Sequence, residues 1–138
     1  MGFFTRLVRP LGRPMRIHGE SMMPLLGPGA LVFVDDAAYR DRAPGHGEVV
    51  AARPASLGGR AIVKRVAGLP SERVTHGTRA WDLGPDEFVL LGDHAEDSLD
   101  SRRLGPIRRA ELIGRVWLRL WPFPRHFAAR NESRREFR

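Results

Sequence analysis

Two side chains carry the chemistry this sequence can do, a serine and a lysine. Ser21 lies in Gly19-Glu20-Ser21-Met22-Met23-Pro24, where an extended segment runs into a proline-containing turn. Such a turn can present both the hydroxyl and the serine's own amide to a cleft. A serine hydroxyl is a weak nucleophile until an adjacent base takes its proton. The plainer reading is an ordinary turn, or Ser21 as the N-cap of a short helix.

Lys64 lies in Ala61-Ile62-Val63-Lys64-Arg65-Val66, and among the 23 Lys and Arg residues it is the only lysine. Arginine stays protonated and cannot act as a base, whereas a buried lysine can lose its proton. On a strand, Ile62, Lys64 and Val66 share a face, so the amine sits among apolar neighbours. Burial lowers an ammonium pKa from about 10.4 toward the range a general base needs. A coding preference for arginine, or a lysine snorkelling out of an edge strand, accounts for the same residue without chemistry.

A third segment, Leu91-Gly92-Asp93-His94-Ala95-Glu96-Asp97-Ser98-Leu99-Asp100-Ser101-Arg102, mixes acids with Ser, His and Arg after an apolar strand. Clustered carboxylates suit hard cations, but the spacing misses the EF-hand pattern and lacks its central glycine, so neither a metal nor another cofactor is expected. The remaining readings are a solvated loop, or a polar scaffold that fixes a catalytic group through hydroxyls and an Asp–Arg pair.

These residues need a scaffold. A chain of 138 residues is enough for one domain with a core. There is no cysteine, which removes disulfides and thiolate chemistry. Short strand patterns run through the middle: Met15–His18, Ala30–Asp35, Glu48–Arg53, Arg60–Ala67, a hairpin of Arg73–Thr75 and Thr78–Asp82, Glu87–Leu91, and Gly114–Trp121. With 11 Pro and 15 Gly between them, they predict an all-β domain, a folded sheet or barrel. Helix is expected only near the N-terminus, after Ser21, and around Arg108–Leu112.

The net charge is +7, and the arginines concentrate at the two ends. The division is a basic amphipathic segment over 1–14, a catalytic domain over 15–124, and an Arg-rich flexible tail over 125–138. No apolar stretch approaches the roughly 18–20 residues of a transmembrane helix. The first segment either packs on the domain or rests on an anionic membrane surface.

In this order the three segments resemble the type I signal peptidases. The motifs of that family run Ser-Met-x-Pro, then Lys-Arg-Val-x-Gly-x-Pro, then Gly-Asp-Asn-x-x-x-Ser-x-Asp-Ser-Arg. Here they read Ser21-Met22-Met23-Pro24, Lys64-Arg65-Val66-Ala67-Gly68-Leu69-Pro70, and Gly92-Asp93-His94 through Ser98-Leu99-Asp100-Ser101-Arg102. Gly47-Glu48-Val49-Val50 is similar to the family's intervening Gly-Asp-Val-Val strand. The resemblance spans roughly residues 15–121. It implies an all-β, signal-peptidase-like core with short helical segments; the N-terminal anchor typical of the family and the large inserted domain of many bacterial members are not expected here.

The resemblance also implies roles. Ser21 is the nucleophile and Lys64 its base. Ser98 orients Lys64, and Asp100 with Arg102 forms a supporting salt bridge. The Ser21 N–H contributes to an oxyanion hole. Some relatives carry a hydroxyl two residues before the nucleophile as a second donor, and here that position is Gly19. Other departures are His94 for Asn, Ala95 for Arg, and Ser71-Glu72 for Gly-Asp. Ile17, Met22, Leu26 and Val63 fall where relatives line shallow pockets for small side chains at the first and third residues before the cut. Core packing is the other account of these four. The substrate implied is a preprotein or leader peptide, bound as an extended strand and cut at an Ala-x-Ala-like site.

Three functions fit. One is a signal peptidase working peripherally at a membrane surface. The second is a cytoplasmic maturation protease, similar to the small anchorless enzymes that trim nickel-type superoxide dismutase. The third is a non-enzymatic binder of nucleic acid or membrane through the basic ends. The self-cleaving SOS repressors share a Ser–Lys dyad, but the segment ahead of residue 15 is too short for their helix-turn-helix domain. No specific nucleic acid is expected.

Overall fold

The computed structural model describes residues 11–94 and 99–127. The strands are β1 (Arg13–Arg16), β2 (Leu31–Asp35), β3 (Val49–Ala52), β4 (Ile62–Gly68), β5 (Arg73–His76), β6 (Arg79–Asp82), β7 (Glu87–Leu91), β8 (Ile107–Arg108), β9 (Leu112–Trp121) and β10 (Arg125–His126). One α-helix, α1, spans Ser101–Leu104, and 3-10 turns span Ala55–Leu57 and Arg109–Glu111.

The main sheet has the order β1-β2-β9-β3-β4-β7-β8, with β10 added beside β9. All its pairings are antiparallel. The fold is mostly β, a curled half-barrel with one short helix, as the strand pattern predicts. Register shifts between β2 and β9, β3 and β9, and β4 and β7 supply the extra twist that curls it. β5 and β6 form a separate two-stranded hairpin.

Alternation along β3 and β4 divides the core in two. Val49, Ala51 and Val63 pack with Ile17, Met22, Leu26, Val32, Val34 and Val116. Val50, Ala52, Ile62 and Val66 pack with Phe88, Leu90 and Ile107. Both faces of β3 are covered, so its sequence is apolar throughout instead of alternating. Where β9 crosses β2 the backbones nearly touch. A Cβ on Gly114 would lie 2.2 Å from the Asp35 carbonyl oxygen, so glycine is required there.

The helix expected after Ser21 is instead a turn over residues 21–25. Pro24, Gly27 and Pro28 prevent the turn from continuing into a helix. The helix expected around Arg108–Leu112 reduces to the 3-10 turn Arg109–Glu111. α1 was not expected; Asp100 nucleates it as N-cap, accepting the Arg102 N–H. Pairing also runs past the expected boundary at 124, since β10 pairs with β9 and Phe127 N–H donates to Trp117 O. Residues 1–10 of the basic segment and residues 128–138 of the tail lie outside the described residues.

Candidate active site

After β1 the chain stays beside the start of β2: Ile17 N–H donates to Ala30 O at 2.9 Å and Gly29 N–H to Ile17 O at 2.8 Å. It then bends at Gly19, whose φ of +79° favours glycine. The turn that follows is closed by Met23 N–H to Glu20 O at 3.0 Å and Leu26 N–H to Met22 O at 2.9 Å. Met22 and Leu26, 1% and 0% exposed, anchor it in the core. Ser21, half-buried, directly precedes the first of these anchors. Its carbonyl accepts the His94 N–H at 2.8 Å. Its own N–H has no acceptor among the described residues.

Lys64 reaches the same point from β4. It sits opposite Val50 of β3 and is 5% exposed. Its Nζ donates to Ser21 Oγ at 2.5 Å. Desolvation by burial pushes the Lys64 pKa down to about 8, helped by Arg60 and Arg102 and opposed by Asp100. An amine of that strength is about half neutral at about pH 8 and mostly neutral only above it.

Asp100 is wholly buried. Its Oδ1 accepts from Arg102 N and Nε, each at 3.0 Å, and its Oδ2 accepts from Gly92 N at 2.8 Å and Arg102 Nη2 at 2.5 Å. This carboxylate ties the end of β7 to α1. Ser101 completes the join, its Oγ accepting the Leu90 N–H at 2.9 Å. Ser98, the expected orienter of Lys64, lies outside the described residues.

Ser21 and Lys64 open onto a cleft of about 430 Å³ between residues 15–22 and 60–64. Of the four expected pocket residues, Ile17, Met22 and Val63 line this cleft. Leu26 does not; it is buried in the core behind it. Glu20, Arg60 and Leu99 also line it, and the sequence alone assigns no individual role to their side chains. The roles of Arg65, Asp93 and His94 were missed too, although all three stand within the quoted motifs. Opposite charges directly beside two of the motifs were the available signal. Among the described residues no three His, Asp or Glu side chains are grouped to hold a metal ion.

The family profile described as signal peptidase, peptidase S26, matches residues 3–80 and 75–121. The chain belongs to this family. The S26 peptidases are serine peptidases, so the cleft belongs to a protease fold. Several S26 relatives align over most of the chain. The probable signal peptidase I-2 of Synechocystis sp. is 30% identical over 87% of this chain and 68% of its own length. The signal peptidase I of Leptolyngbya laminosa is 31% identical over 79% of this chain and 68% of its own. The mitochondrial ATP-independent inner membrane protease subunit 1a of Arabidopsis thaliana is 30% identical over 82% and 72%. Among the described residues of this S26 protein, no helix is long and apolar enough to cross a membrane.

Proposed function

We propose that this S26 peptidase cleaves N-terminal signal or leader peptides after small residues, with Ser21 as nucleophile and Lys64 as general base. The observation that carries this reading is the 2.5 Å approach of Lys64 Nζ to Ser21 Oγ inside an open cleft. Neutral Lys64 takes the hydroxyl proton as Oγ attacks the peptide carbonyl carbon. The Ser21 N–H donates to the oxyanion that forms. The ammonium then gives its proton to the leaving amine. A water activated by Lys64 releases the acyl group and restores the serine.

The substrate lies extended between residues 15–19 and 60–64, adding a strand to the two walls of the cleft. Ile17, Met22 and Val63 form the shallow apolar wall that accepts small side chains before the cut. Ser98 orients Lys64, and Asp100 with Arg102 forms a supporting salt bridge near the site. The protein works at an anionic membrane surface. Support for this comes from Trp121 and Phe123, 53% and 72% exposed, together with the Arg16 guanidinium 6.0 Å from the Trp121 ring.

The test is cleavage of Ala-x-Ala preproteins with and without anionic liposomes. Ser21→Ala and Lys64→Ala are each expected to lose at least about a thousandfold in kcat/KM. Parent-like cleavage by either variant overturns the dyad. Cleavage indifferent to liposomes removes the membrane part and favours a cytoplasmic maturation protease.

A further inference from the structure

The cleft is not electrically neutral along its length. Among the described residues its lining includes Arg16, Arg60 and Lys64 against a single carboxylate, Glu20. Lys64 is turned to Ser21. Arg16 is engaged elsewhere, its Nη1 donating to Gly29 O at 2.9 Å and its guanidinium 6.0 Å from the Trp121 ring centroid. Arg60 is different. Its side chain is exposed and has neither an acidic partner nor a hydrogen bond among the described residues.

The backbone beneath Arg60 is nevertheless held. Arg60 N–H donates to Leu57 O at 3.2 Å, and Arg53 Nε braces Gly59 O at 3.0 Å. The 3-10 turn before it is tied down by Ala55 N–H to Glu111 Oε2 at 2.7 Å. A fixed backbone carrying an unpaired guanidinium into a cleft is suited to recognition, because little ordering remains to be done when a partner arrives. Arg60 lies four residues before Lys64 and two before the start of β4, on the same wall of the cleft; at about 3.3 Å per residue an extended chain separates their backbones by at most about 13 Å. A peptide lying as a strand along this wall places its fourth or fifth residue before the cut beside Arg60.

We propose that Arg60 is a specificity-determining residue that selects substrates with an aspartate or glutamate about four or five residues before the cleaved bond. This rests on the extended substrate pose given under Proposed function, with the peptide running parallel to residues 60–64 and its cut bond beside Lys64. Arg60 also sits close enough to Lys64 to help keep its amine neutral. An acidic substrate residue therefore partly cancels the field of Arg60, and the working pH of the lysine moves upward with such substrates.

The test uses peptides with an Ala-x-Ala site that carry Asp, Asn or Lys at the fourth or fifth position before the cut. Each is assayed for cleavage by the parent, and for binding to the Ser21→Ala protein by fluorescence anisotropy. The parent is expected to favour Asp over Asn about three- to fivefold at low salt, with Lys poorest. The preference should shrink at high salt, collapse in Arg60→Gln and reverse toward Lys in Arg60→Glu. In Arg60→Gln the alkaline rise of kcat/KM should also shift to higher pH, which simple loss of folding would not produce. Equal binding of Asp and Asn peptides to Ser21→Ala, or a preference that survives Arg60→Gln, overturns the proposal. If no peptide is cleaved but charge-selective, Arg60-dependent binding remains, the dyad reading fails while the role of Arg60 stands.

Discussion

Arg65 and Asp93 are joined by two parallel hydrogen bonds, Nε to Oδ1 at 2.9 Å and Nη2 to Oδ2 at 2.8 Å. Arg65 follows Lys64, and Asp93 precedes His94, whose N–H holds the Ser21 carbonyl at 2.8 Å. The side-chain approach of Lys64 to Ser21 closes the ring. Strand β4 and the serine turn are thus joined twice, once through Lys64 and Ser21 and once behind them.

Arg65→Lys keeps the charge but cannot form the paired bonds. The serine turn then loses its second tether to β4. We expect kcat/KM to fall about tenfold through misplacement of the hydroxyl. Because the pair is partly exposed, the loss of stability should stay within about 1 kcal/mol. Steady-state kinetics beside a urea titration separates the two effects. Unchanged kcat/KM removes the pair from the positioning of Ser21.

The pH dependence has a definite sign. In the proposed mechanism Lys64 must be neutral to accept a proton, and burial lowers its pKa to about 8. Cleavage should therefore be weak at pH 6, rise through about pH 8 and level off above it. A profile of kcat/KM from pH 6 to 10 reads this directly. A rise centred near pH 6, where histidine titrates, would assign the base to another group.

The same burial opposes folding. The Lys64 pKa falls from 10.5 to about 8 on folding, so between those values the unfolded chain holds a proton that the folded chain does not. Stability contributed by this group rises with pH across that window. Below it the buried ammonium carries its full penalty, on the order of 3 kcal/mol. Lys64→Met should therefore melt higher than the parent at pH 7, with the difference narrowing toward pH 10. A lower melting temperature at pH 7 contradicts this account.

Much of the architecture was legible because the apolar runs are short and bounded by Pro and Gly. Ala30–Asp35 and Glu87–Leu91 correspond closely to β2 and β7. What escaped depends on contacts between distant segments. Nothing local shows that Asp100 is wholly buried, or that His94 reaches back to Ser21. The segment after Ser21 stops short of the expected helix because Pro24 and the glycine and proline after Leu26 limit the chain to one turn. The resemblance places Leu26 at a pocket position; the fold turns it into the core instead.

Away from the cleft, Glu48 is 3% exposed and accepts from Arg42 Nη1 at 2.8 and 3.0 Å. Tyr39 packs beside this carboxylate, and burial pushes its phenol pKa well up. Arg42→Ala leaves Glu48 buried without its cation, and we expect a loss of about 1–3 kcal/mol in urea unfolding. Peptide cleavage below the transition should be unaffected. A neutral effect on stability would show that Glu48 is satisfied by Tyr39 and the backbone alone.

Gly19 adds a backbone argument. No atom lies within 4 Å of a Cβ built there, but φ is +79°. Space is available and conformation is not, so Gly19→Ser should lose about 1 kcal/mol without raising kcat/KM. A gain of tenfold or more would mean that the turn relaxes and the new hydroxyl reaches the oxyanion.

Because Lys64 is the chain's only lysine, its amine is also a built-in reporter. Protein grown with isotope-labelled lysine would give one side-chain resonance, arising beside Ser21. Its titration curve, line width and response to an added peptide would follow that one nitrogen without mutation or overlap.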